Sequence, residues 1–492
     1  MMKKPVVHIT NFNLKFQDKY VLKDLCWTIN IGENWLLSGE SGNGKTSLVK
    51  AIANLIPNYG TVEINFNPAS HLAGVVHYVA NWYQFKDLEG QSNFYYQQRY
   101  NKQVASTTNS VGSELRHFGQ QNQLKPDTLN PILAALDFEN LLAATLIELS
   151  SGEHKKLQLI KAIWLKPQLL ILDLPYNGLD SASRRNLNLL LDHLVEDGTQ
   201  LILISNETEM PSSINRFAKI ESGKLVETAE MQHLADLFTE VEKPLPAFFG
   251  KKQWPSVKSH LIKMIDVNVS YGDKKVLKNI NWEVKAGEKW ALQGPNGSGK
   301  STLLSLICAD HPQAFANNFY LFGNLRGSGE SIWEIKERIG LISPELHWYF
   351  DPSATVWQSI VSGFYDSSGL FCEPGYTKRL QADELIYFFG LDDYKNTLMS
   401  QLPLGKQRLA LLGRTIIKNP ELLILDEPCQ GLDQQQTFHF NKLIDELCKN
   451  GTTLIYVGHF ESQLPDCIEK RIVLENGEVQ AIENILETVS NA

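Results

Sequence analysis

At 492 residues and a formal charge of −9, the chain is too long for one ordinary domain, and it has no surplus of Lys and Arg for coating nucleic acid or an anionic membrane. Hydrophobic residues make up 43% and charged residues 21%, which excludes wholesale disorder. Its six cysteines form no C-x-x-C pair, so they give neither a zinc site nor a disulfide framework and are expected to be buried, reduced thiols. Residues 1–8 lack the apolar core of a signal peptide, and no run of about 18 apolar residues occurs anywhere. The chain is therefore read as cytoplasmic, with any attachment at the inner face of the plasma membrane made through a partner.

In chain order, short β-rich segments lead into a Gly-rich loop, Gly39-Glu40-Ser41-Gly42-Asn43-Gly44-Lys45-Thr46, and then a helix predicted over 46–55 that begins with Thr46 and Ser47. Residues 95–112, rich in Gln, Asn, Ser and Thr, are predicted to be a surface loop within an irregular helical insert. The aromatics Trp82, Tyr83, Phe85, Phe94, Tyr95 and Tyr96 have a single cation, Lys86, among them, which favours a packing face over a nucleic-acid platform. Two apolar strands follow, at 169–172 and 201–204. Residues 228–260 carry Pro244, Pro246, Gly250 and Pro255 and read as a linker. The same order then starts again. Residues 271–284 echo 16–29 at an offset of 255, and a second Gly-rich loop runs Gly294-Pro295-Asn296-Gly297-Ser298-Gly299-Lys300-Ser301. A helix predicted over 302–309, starting at Thr302, and apolar strands at 422–425 and 453–457 complete the repeat. Domains are accordingly placed at 1–227 and 261–492. Continuous apolar strands alternating with helices predict an α/β fold with a mostly parallel sheet core in each half.

Both loops match G-x-x-x-x-G-K-[ST]. Glycines let successive backbone N–H groups turn toward phosphate at a helix start, the lysine reaches the outer phosphates, and the Thr46 or Ser301 hydroxyl suits Mg²⁺. A Gly-rich turn with a chance lysine explains one match poorly and two at repeat positions worse. Asp173 and Asp426 end their apolar strands, where a carboxylate would complete a Mg²⁺ site.

With Leu149-Ser150-Ser151-Gly152-Glu153 standing ahead of the strand ending at Asp173, the chain resembles the ATP-binding-cassette family over nearly its whole length. The resemblance implies two P-loop cassettes in tandem, each with an antiparallel β subdomain and a helical insert beside the parallel core. It also implies hydrolysis of ATP to ADP and phosphate with Mg²⁺. A narrower likeness is carried by Asp310-His311-Pro312-Gln313, Leu321-Phe322-Gly323, the run from Arg326 to Trp333, and Gly363-Phe364-Tyr365-Asp366-Ser367. These segments resemble the tandem ATPases associated with molybdate transport.

In the family, two cassettes hold ATP head to tail, the signature of one facing the phosphate loop of the other. The resemblance thus implies intramolecular pairing of the halves and makes the two sites unequal. The second half supplies Lys300, Ser301, Asp426, Glu427 at the water-activating position, His459 at the switch position and Tyr271 at the adenine-stacking position, faced by Ser150, Ser151, Gly152 and Glu153. Its expected glutamine falls near Ser343-Pro344-Glu345, where none stands. The first half keeps Lys45, Thr46, Asp173 and Phe16, with Gln84 a candidate glutamine. It carries Leu174 at the water-activating position and Asn206 at the switch position, and it faces Pro403 where a signature serine belongs. Pro403 lacks a backbone N–H as well. The family further implies a separate membrane permease as partner. A soluble translation factor is the competing class, disfavoured by the short linker and by Leu174. Glu330, Asp366 and Asp393 read as solvated charges.

Overall fold

The computed structural model describes residues 5–16, 19–39, 42–57, 60–66, 75–81, 109–205, 209–221, 223–228, 244–250, 254, 260–271, 274–344, 351, 353–367, 369–432, 434–458 and 463–485, leaving aside the side chains of 16, 19, 274, 434 and 435. The chain divides into two compact units: residues 1–92 with 103–236, and 237–492 with 93–102. Each is described by itself.

In the first unit, β1 (Pro5–Phe16), β2 (Lys19–Asn30) and β4 (Thr61–Ile64) form an antiparallel sheet ordered β2-β1-β4. Between them lie β3 (Trp35–Ser38) and α1 (Lys45–Ile52). After β5 (Val76–Val79) come the insert helices α2 (Val111–Gln121) and α3 (Asn130–Ala135), and then α4 (Ser151–Leu165). Next are β6 (Leu169–Asp173), α5 (Ser181–Glu196), β7 (Gln200–Ile204), β8 (Arg216–Glu221) and β9 (Lys224–Thr228). The main sheet is ordered β5-β6-β7-β3-β8-β9, parallel except for the last pair.

The second unit repeats the plan. Strands β10 (Ile262–Tyr271) and β11 (Lys274–Val284) precede β12 (Lys289–Gln293) and α6 (Lys300–Ile307). Then come β13 (Asn318–Leu321), β14 (Asn324–Leu325), α7 (Ile332–Arg338) and β15 (Ile339–Ile342). The insert holds α8 (Val356–Ser362) and α9 (Tyr376–Phe388) and leads to α10 (Leu404–Ile416). The core closes with β16 (Leu422–Asp426), α11 (Gln434–Cys448), β17 (Thr453–Val457), β18 (Lys470–Glu475) and β19 (Glu478–Asn484). The sheets run β11-β10-β13-β14 and β15-β16-β17-β12-β18-β19, the second again parallel save at its last pair.

The apolar runs are continuous because both sheet faces are covered. In β6 and β7, Leu170, Leu172, Leu201 and Leu203 face one hydrophobic cluster, while Leu169, Ile171, Ile202 and Ile204 face another. Leu423, Leu425, Leu454 and Tyr456 alternate in the same way with Leu422, Ile424, Ile455 and Val457. Each buried aliphatic side chain contributes about 1.5–3 kcal/mol. Even an aromatic detail is duplicated: Trp27 meets Trp35 edge to face at 5.4 Å, as Trp282 meets Trp290 at 5.6 Å.

Several boundaries differ from those predicted. Helices α1 and α6 begin at the lysines, because Gly44 and Gly299 take the preceding left-handed position, and both end earlier than expected. Val111 and Gly112 belong to α2 rather than to a loop. Part of the expected linker is packed: Phe249 lies in the second unit's core, and Trp254 Nε1 donates to the Asn419 carbonyl at 3.2 Å. Cys26 and Cys372 are exposed, so the expectation of uniformly buried thiols fails there. Among the described residues no helix is long and apolar enough to cross a membrane.

Where α8 meets α10, a Cβ built on Gly363 would lie 1.9 Å from the Arg414 carbonyl oxygen. Gly363→Ala is expected to destabilise the second unit by about 1–3 kcal/mol, read as a fall of several degrees in melting temperature by calorimetry. An unchanged melt would contradict this packing.

Candidate nucleotide sites

Each phosphate loop leaves the end of a parallel strand and passes over its neighbour. Gly39, Gly42 and Gly44 have φ of 123°, 90° and 90°; Gly294, Gly297 and Gly299 have 147°, 78° and 102°. A Cβ on Gly39 would stand 2.8 Å from the Ile220 carbonyl oxygen in β8, and one on Gly294 would stand 2.2 Å from that of Leu474 in β18. Only glycine fits at these two positions. Lys45 Nζ donates to the Gly39 carbonyl at 2.6 Å, and Lys300 Nζ to those of Gly294 and Pro295 at 2.7 and 2.9 Å. Both lysine side chains are thus curled inside their loops and buried. Ser298 is buried beside Gly294, and Asn43 Nδ2 donates to the Ile220 carbonyl at 3.3 Å. The cap residues of α1 and α6 are Gly44 and Gly299, which carry no side chain to cap the first turn, where Thr46, Ser47, Ser301 and Thr302 lie; the start of each helix suits an anion. Asn296 lies within the second loop. Glu40 and Ser41 fall outside the described residues.

Asp173 ends β6, two strands from β3, and is buried. Its Oδ2 accepts from Thr46 Oγ1 at 2.9 Å and from the Tyr78 hydroxyl at 2.9 Å. Its Oδ1 is buried without a hydrogen-bond partner. An orphaned carboxylate oxygen beside the hydroxyl of Thr46, the residue that follows the phosphate-loop lysine, fits Mg²⁺ bound with nucleotide phosphate, a hard cation with oxygen ligands. Asp426 holds the matching place at the end of β16, and Ser301 the matching place in α6.

The two halves part company around these carboxylates. Tyr78 stands in β5 opposite Ile171, and its register equivalent in β15, opposite Ile424, is Leu341, which has no hydroxyl. Burial and then the charge of Asp173 hold the Tyr78 hydroxyl protonated, well above the usual tyrosine range. Lys155 in α4 donates to the Ala80 and Asn81 carbonyls at 2.8 and 3.1 Å. Burial pushes its ammonium down to about 7, against the pull of Asp173. At the repeat position Arg408 is buried too, and burial lowers it to about 10 against Cys429 and Glu427. Neither Tyr78 nor Lys155 announces itself in the sequence, because both reach Asp173 only through the fold.

The residue after each aspartate has the same backbone. Leu174 has φ 47° and its N–H donates to the Ile204 carbonyl at 3.0 Å; Glu427 has φ 45° and donates to that of Val457 at 3.1 Å. The left-handed conformation is costly for a large side chain, yet both halves keep it. Glu427 Oε2 accepts from Gln430 Nε2 at 3.1 Å, whereas the Leu174 side chain packs on the first unit's core.

The signature segments differ as well. Ser150 caps α4, its Oγ accepting from the Glu153 N–H at 3.3 Å and donating to Glu153 Oε2 at 2.8 Å, with Ser151 and Gly152 in the first turn. Pro403 stands at the cap of α10 with no side-chain cap bond. Tyr271 ends β10, is 42% exposed as a residue, and has its hydroxyl 2.7 Å from His311 Nε2. His459, Asn206, Gln84, Glu345 and the aromatics at 82–96 lie outside the described residues, as does the Phe16 side chain. Two supposed solvated charges are in fact paired: Glu330 with Arg326, and Asp366 with Lys418.

The family model described as "ABC transporter" matches residues 22–177 and 277–430. The ABC transporter ATP-binding protein ModF of Escherichia coli is 32% identical over 462 residues, covering 90% of this chain and 92% of that one. An uncharacterized ABC transporter ATP-binding protein of Schizosaccharomyces pombe is 29% identical over 93% of this chain and 96% of its own length. Among solved structures, cbiO1 of Clostridium perfringens, part of an ABC transporter complex, is 25% identical and covers 47% of this chain and 92% of that chain, with a TM-score of 0.42. With two phosphate loops, two strand-end aspartates and a family match in each half, the chain belongs to the ABC transporter ATP-binding family and is a tandem, ModF-like member of it.

Proposed function

We propose that the chain hydrolyses ATP at the nucleotide gripped by its second half and holds a second ATP, uncleaved, in its first. The observation that carries this reading is the pair Leu174 and Glu427, which have one backbone conformation and one backbone hydrogen bond but a carboxylate in the second half alone. Lys300 would hold the outer phosphates, with Ser301 and Asp426 on Mg²⁺. When bound, the metal supplies charge neutralisation on the phosphate oxygens. Glu427 orients the attacking water and accepts its proton, and His459 is assigned to the outer phosphate. Ser150 and Gly152 are assigned to the same nucleotide, so pairing of the two halves is part of the proposal.

In the first half, Lys45, Thr46 and Asp173 support binding without cleavage. Leu174 has no atom that accepts a proton, and Asn206 and Pro403 remove two further contacts. Tyr78 already occupies one Asp173 oxygen, which adds to the case for a slow site.

The work done by the cycle is assigned to a separate permease or an ATP-gated client. The tie to molybdate-type metabolism rests on the narrower likeness of residues 310–313, 321–323, 326–333 and 363–367.

Glu427→Gln is expected to lower steady-state turnover by about 10²–10⁴-fold while leaving ATP bound. A variant that kept most of its turnover would sink the assignment. In the wild-type protein trapped with Mg-ATP, washed and acid-quenched, one ATP and one ADP per chain are expected. Two ADP would show that the first half cleaves as well. Capture with Glu427→Gln in Mg-ATP then separates clients: a permease supports transport, and ribosomal proteins would transfer the chain to the translation class.

A further inference from the structure

The segment between α6 and β13 has no part in phosphate chemistry, yet it is built onto the strand end that carries Tyr271. The His311 ring is almost wholly buried, its Nε2 lies 2.7 Å from the Tyr271 hydroxyl, and the two rings meet edge to face at 5.7 Å. His311 Nδ1 accepts from the Gln313 N–H at 3.2 Å, so the single proton of a neutral imidazole sits on Nε2 and is donated to the Tyr271 oxygen. Burial lowers the pKa of His311 to about 4, in keeping with a neutral ring.

Two neighbours clamp the same strand end. Gln313 brackets Ser270, its Oε1 accepting from the Ser270 N–H at 3.1 Å and its Nε2 donating to the Ser270 carbonyl at 2.7 Å. Asn317 does the same for Asn268, accepting its N–H at 2.8 Å and donating to its carbonyl at 2.9 Å. The N–H groups of Asp310 and His311 both donate to the Ser305 carbonyl in α6, at 3.0 and 3.2 Å. The helix that begins at the phosphate loop therefore ends in the segment that grips Tyr271. Below it, Arg326 stacks over Phe315 at 5.2 Å and is paired with Glu330. In the first half the positions 255 residues earlier read Leu55-Ile56-Pro57, and Ile56 has no proton to donate.

We propose that His311 is a positioning residue for the nucleotide base of the second half: by holding the Tyr271 hydroxyl it presets the exposed ring for stacking on a purine. This rests on the reading that Tyr271 meets the base. A ring already fixed in its bound rotamer loses less freedom when ligand arrives, so the gain lies in affinity rather than in the chemical step.

The test uses the full chain in a Lys45→Ala background, so that a fluorescent ATP analogue reports the second half in Mg²⁺. Tyr271→Ala is expected to weaken binding about tenfold or more. His311→Ala and Tyr271→Phe, which each remove one side of the same bond, should weaken it by a similar factor, about three- to tenfold. His311→Gln, which keeps an N–H near the Nε2 place, should restore affinity to within about twofold. In the Tyr271→Phe background His311→Ala should add nothing, whereas in turnover His311→Ala alone should raise KM with kcat unchanged.

If Tyr271→Ala leaves affinity unchanged, the base-stacking reading falls and takes the proposal with it. If Tyr271→Ala weakens binding but His311→Ala does not, or acts equally in the Tyr271→Phe background, the stacking reading stands and the positioning role is overturned. Should His311→Ala fail to fold, Tyr271→Phe alone decides: affinity equal to that of wild type refutes the role.

Discussion

The chain can make a phosphate site only where its backbone passes almost in contact with the next strand. At Gly39 and Gly294 the loop crosses the Ile220 and Leu474 carbonyls so closely that a methyl group would collide with them. That approach depends on β8 and β18 running parallel beside β3 and β12, and on the strand that ends in aspartate lying two places away on the other side. The fully buried sheet is what holds these strand ends in register. A loop alone would not bring Thr46 within 2.9 Å of a carboxylate 127 residues away.

On that frame the halves have diverged in side chains while keeping the main chain. Leu174 shows this most directly. A leucine gains nothing from a left-handed conformation, and the hydrogen bond to Ile204 is the same one Glu427 makes to Val457. The backbone there is set by the turn after the strand, so replacing the carboxylate leaves the scaffold intact and removes only the acceptor. The first half also gains a contact at the strand-end carboxylate, the Tyr78 hydroxyl on Asp173, where the second half has Leu341 in register.

Much of this is legible in the order of the amino acids. The continuous apolar runs at 169–172 and 422–425 require sheet strands covered on both faces, and the two Gly-rich loops require a helix directly after them. What the residue pattern misses, it misses for physical reasons. Composition places the helix starts late, because the left-handed Gly44 and Gly299 end the loops one and two residues sooner than composition suggests. Residues 228–260 read as linker from Pro244, Pro246, Gly250 and Pro255, but Phe249 and Trp254 within that span find hydrophobic and hydrogen-bonding partners far along the chain. Tyr78, Lys155 and His311 act through contacts that no periodicity encodes. His311 at least stands in a segment that the narrower likeness singles out, though the likeness gives that segment no evident purpose.

Asymmetry of this kind is compatible with nucleotide binding because grip and cleavage draw on different groups. In the proposed cycle, grip is assigned to main-chain N–H groups, a lysine and a hydroxyl, all set by the loop and its helix, and both halves carry those residues. Cleavage is assigned in that proposal to one further carboxylate at the strand end, on a residue whose conformation the fold already provides. One substitution at that position therefore separates the two properties with little effect on the core. The same separation is proposed at the base: the second half braces its tyrosine with an imidazole buried beyond the end of the phosphate-loop helix, while the first half has Ile56 at that position. On that reading, the bracing of the tyrosine and the carboxylate assigned to catalysis fall together in one half, as they would if only one nucleotide is to be bound, cleaved and replaced.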